Sequence, residues 1–406
     1  MSPIAVLLVL LVVAYVGGLW ASARHSRSFG SPSGAEYALL GILLGPHVLG
    51  TLSQGVLGTF EPICLVALCW IALGYGLDCG MNGRVRARVG PMLLGMLLTA
   101  LVMLAVAAVI YMLSDGQAPA ERAVMALAVG LVSAETTRYG VRRVGERFGA
   151  AGPLYRLLNE LAAADDAPAL IALPLLYAAL QGPQHGTVAD LTSYGVCAGS
   201  LVAAAGTGAI AGWLIARTDA RMERWTILLG SVWLLAGAAE LVGASAMGAC
   251  FAAGVALSAT CPEADVVRRS VARTEGPVLL PALLLAGAHL NPLDAQGLGL
   301  VLIATVARIG ANFCIGIALA FGKLGGRMQS PTWLGLSMQS SGPLSLVVGF
   351  AVALRMGGQV GNAVLACAIA GTLLGELVGP YALRRALRRA GELEADRMPA
   401  LSRGAS

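Results

Sequence analysis

Asp165 and Asp166 stand side by side inside an apolar stretch, Leu157–Leu180. A carboxylate at bilayer depth costs about 3 kcal/mol even on insertion scales, so such groups face a cavity, take a partner or bind something. Two adjacent carboxylates raise that cost, because like charges at contact distance push one of them towards its protonated form. The chemistry open to such a pair is the uptake of protons or cations. Neighbouring helix positions point ~100° apart, so one aspartate can face a water-filled cavity while the other meets a cation behind it. Pro168 weakens a helix just beyond and frees backbone carbonyls as oxygen ligands.

Three further groups of polar residues lie at comparable depth. Arg308 is the basic residue buried deepest in an apolar run, near the middle of 296–322. A buried arginine needs a counter-ion, and an ion pair with Asp165 or Asp166 is the expected contact. Ser133, Glu135, Thr136, Thr137 and Arg138 interrupt the run 120–137. Consecutive hydroxyls compete for backbone hydrogen bonds and favour unwinding, and broken helices present carbonyls and helix ends to a bound ion. Glu135 is then either a third carboxylate of the site or the interfacial partner of Arg138, three residues on. Gln339, Ser340, Ser341, Gly342 and Pro343 cluster in the run 331–354. They read as a second break or as a proline kink whose hydroxyls bond back to the helix; two breaks, one in each half, would point to a site at a repeat interface.

The elements that position these residues are membrane helices. Of 406 residues, 57% are hydrophobic and 12% charged, where soluble domains carry about 25% charged residues. The composition is that of an all-α polytopic membrane protein, and 53 glycines suit close helix approach in lipid. Apolar runs fall at roughly 2–21, 36–54, 59–78, 90–114, 120–137, 157–181, 192–216, 225–242, 244–260, 276–290, 296–322, 331–354 and 359–383, which makes about 13 transmembrane helices. With the N-terminus outside and the C-terminus cytoplasmic, 24 of the 27 basic residues fall on the cytoplasmic side. The net charge of +5 is therefore an orientation signal rather than a nucleic-acid footprint. The opening run lacks a positive n-region and reads as a retained helix rather than a cleaved leader. Residues 1–383 form a single transmembrane unit, followed by a short cytoplasmic tail, 384–406, expected to be disordered. Eight scattered cysteines without CxxC spacing and four dispersed histidines give no metal or redox motif, and no Walker sequence is present. No cofactor and no enzymatic activity are expected.

These residues resemble those of the bacterial monovalent cation:proton antiporters, in the branch containing sodium/proton and potassium-efflux antiporters. LLGILLGPHVLG, ALGYGLDCG, GASAMGACFAAGVALS and ELVGPYALRRALRRAGE are similar to the family's Gly-rich segments, and Asp165-Asp166 resembles its paired acidic motif. The resemblance implies inverted repeats with two crossing discontinuous helices in a bacterial inner (plasma) membrane. It implies a homodimer whose scaffold comprises about 1–88 and 225–290, an ion-carrying core of about 90–181 and 296–383, and a linking helix at about 192–216. By motif match, Asp166 alternates between proton and cation, most readily Na⁺, while Asp165 pairs with a basic residue of a later helix, the position of Arg308. Family members with two aspartates often have lysine there, whereas arginine cannot be deprotonated and so releases no proton. The first broken helix reads Glu135-Thr136-Thr137-Arg138 in place of the usual small polar residues, and a common Gly-Glu pair reads Gly342-Pro343. Two alternatives stand beside antiport on this architecture: a cation-coupled symporter of an organic anion, with Arg138 meeting a carboxylate, and a non-transporting sensor.

Overall fold

The structure, a computed structural model, describes residues 5, 6, 8, 9, 12, 16, 33–79, 89–114, 118–136, 138–162, 165–181, 191–218, 220–292, 294–321, 335 and 337–393. Among them every regular element is a helix. Seven helices are long and apolar enough to cross a membrane, and Ala35–Leu44, Ala246–Thr260 and Pro343–Met356 are shorter apolar ones. The expected first helix, 2–21, lies largely outside the described residues.

Close helix approach follows from small residues. Helices α1 (Ala35–Leu44) and α2 (Gln54–Cys79) open the described chain, which continues with α3 (Val89–Leu113), α4 (Pro119–Ser133), α5 (Arg138–Phe148), α6 (Pro153–Leu161), α7 (Asp166–Gln181), α8 (Leu191–Ile215), α9 (Arg221–Leu241), α10 (Ala246–Thr260) and α11 (Ala264–His289). Helix α10 packs extensively against both α2 and α8. A Cβ at Gly254 of α10 would stand 2.4 Å from the Leu73 carbonyl oxygen, and one at Gly76 of α2 would stand 2.3 Å from that of Phe251. The two backbones therefore touch, as small-residue interfaces in lipid allow. Gly41 of α1 and Gly287 of α11 meet in the same way, each blocked at 1.9 Å by a carbonyl oxygen of the other helix.

The chain ends in α12 (Ala295–Phe321), α13 (Pro343–Met356) and α14 (Gly358–Arg389). Helix α12 turns Leu302 (67% exposed) and Val306 (69% exposed) outward while Arg308 is buried. That division is expected of a helix with one face on lipid and one on protein.

Several boundaries differ from the sequence reading, each for a physical reason. The run 157–181 is described as two helices, α6 ending at Leu161 and α7 beginning at Asp166, with turns at Ala162 and Asp165 and residues 163–164 outside the described residues. Pro168 accordingly lies in the first turn of α7, where a missing N–H costs nothing, instead of weakening a helix interior. Helix α11 begins at Ala264 rather than near 276, taking in the arginines assigned to a loop. It tolerates Arg268 because Asp78 and Glu275 both pair with that side chain at 2.6 Å. The tail also starts later than 384. Helix α14 runs to Arg389, and buried Glu392 accepts hydrogen bonds from Leu154 N–H and Tyr155 N–H, each at 2.8 Å. Those are open donors of the first turn of α6, so a carboxylate from the C-terminal segment caps that helix. Residues 394–406 lie outside the described residues.

Candidate functional site

Two interruptions meet inside the protein. The first is Ala134-Glu135-Thr136, between α4 and α5, and the second is Gln339–Gly342, ahead of α13. At the first, hydroxyl and carboxylate side chains offer the backbone alternatives to the helix. At the second, extended Gly342 precedes Pro343, which starts α13 without an N–H to lose. The proline thus begins a helix and does not kink one. Ser133, Glu135, Thr136, Gln339, Ser340 and Ser341 are all buried, and buried polar groups at such a density must be held by partners.

The partners are largely each other. Thr136 Oγ1 donates to the Met338 carbonyl at 2.9 Å, tying one interruption to the other. Glu135 Oε2 accepts from Ser345 N–H at 2.5 Å. Ser345 is the third residue of α13, so this carboxylate meets the positive end of that helix. Glu135 is therefore buried where the two interruptions meet, with its carboxylate on the start of α13. Asp165 contacts the other interruption, ahead of α5, where its Oδ2 accepts from Thr136 N–H at 3.0 Å.

Arg308 supplies the opposite charge where carbonyls are exposed. Its guanidinium donates to the Glu135 carbonyl at 2.5 Å, to the Gln339 carbonyl at 3.4 Å and to Ser341 Oγ. One arginine from α12 thus fastens both interruptions. This corrects the expected ion pair: Arg308 bonds neither Asp165 nor Asp166, although the charges of Glu135 and Asp165 act on it from further away. The physical reason is that broken helices leave carbonyl oxygens without partners, and a planar five-donor cation satisfies several at once.

The aspartates differ in surroundings. Asp165 is 2% exposed, and its Oδ1 has no hydrogen-bond partner. It lines a cavity of about 10 Å³ with Thr99, Thr136, Ser337 and Met338, which is room for about one water. Asp166, the first residue of α7, is only partly buried. Tyr177 Oη further along α7 donates to the Ala351 carbonyl of α13 at 3.1 Å, holding that helix against the second interruption.

Of the residues singled out in the sequence, Glu135, Thr136, Asp165, Arg308, Gln339 and Ser341 share this one contact network. Ser340 is packed against Gly379 of α14, and Ser133 is buried at the end of α4. Thr137 and the side chain of Arg138 lie outside the described residues. Sequence reasoning missed Ser345, whose role rests on its backbone N–H and leaves no side-chain signal. It also missed buried Thr99 and Asn312. Asn312 was within reach, since it lies four residues beyond Arg308 and so on the same helix face.

Comparison with known proteins follows this geometry. The family model described as "Sodium/hydrogen exchanger, transmembrane" matches residues 7–385. No curated protein matches the sequence. Among solved structures, the fold is similar to the sodium proton antiporter MjNhaP1 from Methanocaldococcus jannaschii at pH 8, with a TM-score of 0.62, 16% identity, and coverage of 95% of this chain and 94% of that one. An electron-microscopy structure of the same antiporter gives a TM-score of 0.67 at 15% identity, covering 95% and 98%. At these identities the likeness is one of fold.

Proposed function

The chain belongs to the transmembrane sodium/hydrogen exchanger family, whose members are cation:proton antiporters, and from that premise we propose that it exchanges Na⁺ for protons at Asp166. The observation that carries this reading is a division of labour among three carboxylates. Glu135 and Asp165 are buried and accept from backbone N–H groups at the crossing, while adjacent Asp166 is only partly buried. A group that loads and unloads must be reachable. Asp165 Oδ1, buried and without a partner, offers the cation a second oxygen beside the cavity.

Protons and Na⁺ compete for Asp166, so loading one displaces the other, and alternate exposure of this single site couples the fluxes without ATP. Arg308 stays protonated throughout. It offsets the carboxylate charge and keeps the interruptions joined, but transfers no proton. One titrating carboxylate against one monovalent cation makes the exchange one for one. The protein works on this reading as a homodimer in the inner membrane of a bacterium.

The test is flux in proteoliposomes. An imposed Na⁺ gradient should drive opposing proton movement, with an initial rate unchanged when the membrane potential is clamped to zero. Proton movement that appears only with an added organic anion would replace antiport by symport.

A further inference from the structure

Well away in sequence from the aspartates, two separate basic clusters converge on one cleft. It has a volume of about 300 Å³ and lies between the first two turns of α9 and the first half of α11. Arg221 and Arg224 line it from α9, Arg269 and Arg273 from α11. Arg224 is paired with Glu263 at 2.6 Å. Arg221, Arg269 and Arg273 have no acidic partner among the described residues. The contrast within α11 is sharp, because Arg268, next to Arg269, is held by two carboxylates. Arg268 joins α11 to α2 with its counter-charge in place, whereas Arg269 and Arg273 face the cleft without one among the described residues.

The floor is apolar and already formed. Trp225 and Leu228 of α9 meet Val267 of α11. The Trp225 ring stacks on Trp70 of α2 at 5.7 Å, and Trp70 Nε1–H donates to Thr274 Oγ1 at 2.9 Å. Beside the cleft, Met222 (77% exposed), Leu229 (43%) and Val266 (40%) carry apolar surface outward. Three guanidinium groups without an acidic partner among the described residues, an indole and exposed aliphatic surface alongside are together the complement of a phospholipid. A soluble anion would use the arginines and leave the apolar surround without purpose.

We propose that this cleft binds the phosphate headgroup of an anionic phospholipid, with the acyl chains lying along Leu229 and Val266. Binding needs no rearrangement of the floor, which the Trp70–Trp225 stack holds in place.

The experiment uses the full chain purified in neutral detergent, with lipid binding measured by native mass spectrometry and by ligand-dependent thermal stabilisation. Phosphatidylglycerol is the probe, phosphatidylcholine the zwitterionic control, and glycerol phosphate the headgroup without chains. Phosphatidylglycerol should bind and stabilise while the other two do not. Arg269→Gln with Arg273→Gln should weaken its binding about 30-fold, on the strength of two basic side chains at a membrane surface. Ser270→Glu, which sets a carboxylate in the cleft while leaving every arginine in place, should weaken it comparably and covers the case in which the double variant fails to fold. Arg142→Gln, outside the cleft, should change nothing. Equal stabilisation by glycerol phosphate would overturn the lipid assignment, as would phosphatidylglycerol binding that survives Ser270→Glu.

Discussion

Arg308→Gln is the substitution with the largest calculable effect on the site. The guanidinium makes two short hydrogen bonds, to the Glu135 carbonyl and to Ser341 Oγ, and a longer one to the Gln339 carbonyl. All of these groups are buried. A hydrogen bond from a charged donor contributes about 1.5–3 kcal/mol, and removing one member of a buried charged arrangement costs about 3–5 kcal/mol in total. Glutamine is too short to reach both interruptions and carries no charge, so the full range applies. Lysine restores the charge but reaches one acceptor at a time in place of a planar fork, and should recover about half of the loss. Reversible unfolding in mixed micelles measures both. Arg308→Gln within about 1 kcal/mol of wild type would refute the idea that Arg308 fastens the interruptions. A lysine variant as stable as wild type would show that charge alone matters and that the geometry does not.

Other consequences are independent of that one. Glu392→Ala removes the carboxylate that caps α6 and should lower stability by about 1–2 kcal/mol, read in the same unfolding assay, with Glu392→Gln in between. Gly254→Ala places a methyl group against the Leu73 carbonyl and should cost about 1–3 kcal/mol, while Gly230→Ala, which meets nothing within 4 Å, should change stability by less than about 0.5 kcal/mol. Equal effects of the two glycine variants would contradict the backbone contact between α2 and α10.

The polar positions were legible in the sequence because lipid makes them expensive. Asp165, Arg308, Glu135 and the Gln339–Gly342 segment each break an apolar run, and the structure brings them to one crossing. The partners were not legible. Arg308 and Glu135 are 173 residues apart in the chain, and no local pattern says whether a buried arginine will meet a carboxylate or a row of unsatisfied carbonyls. The start of α7 at Asp166 was hidden for a related reason. Alanine, aspartate and an early proline suit a helix start as well as a continuing helix, and the partner of Asp165, Thr136 N–H, lies on a distant element that no local pattern names. The capping Glu392 lay in a segment whose composition reads as a solvated tail; its burial depends on α6 being close by.

Sodium-induced proton release from the purified protein tests the central claim most directly. With the protein in weakly buffered detergent solution, a pH-sensitive dye follows protons freed when NaCl is added, against an equal addition of choline chloride. Wild type should release protons in a saturable way as Na⁺ displaces them from Asp166. Asp166→Asn should release none while remaining folded, because asparagine keeps the shape and cannot titrate. Release that persists in folded Asp166→Asn would place the exchanging group elsewhere and contradict the account.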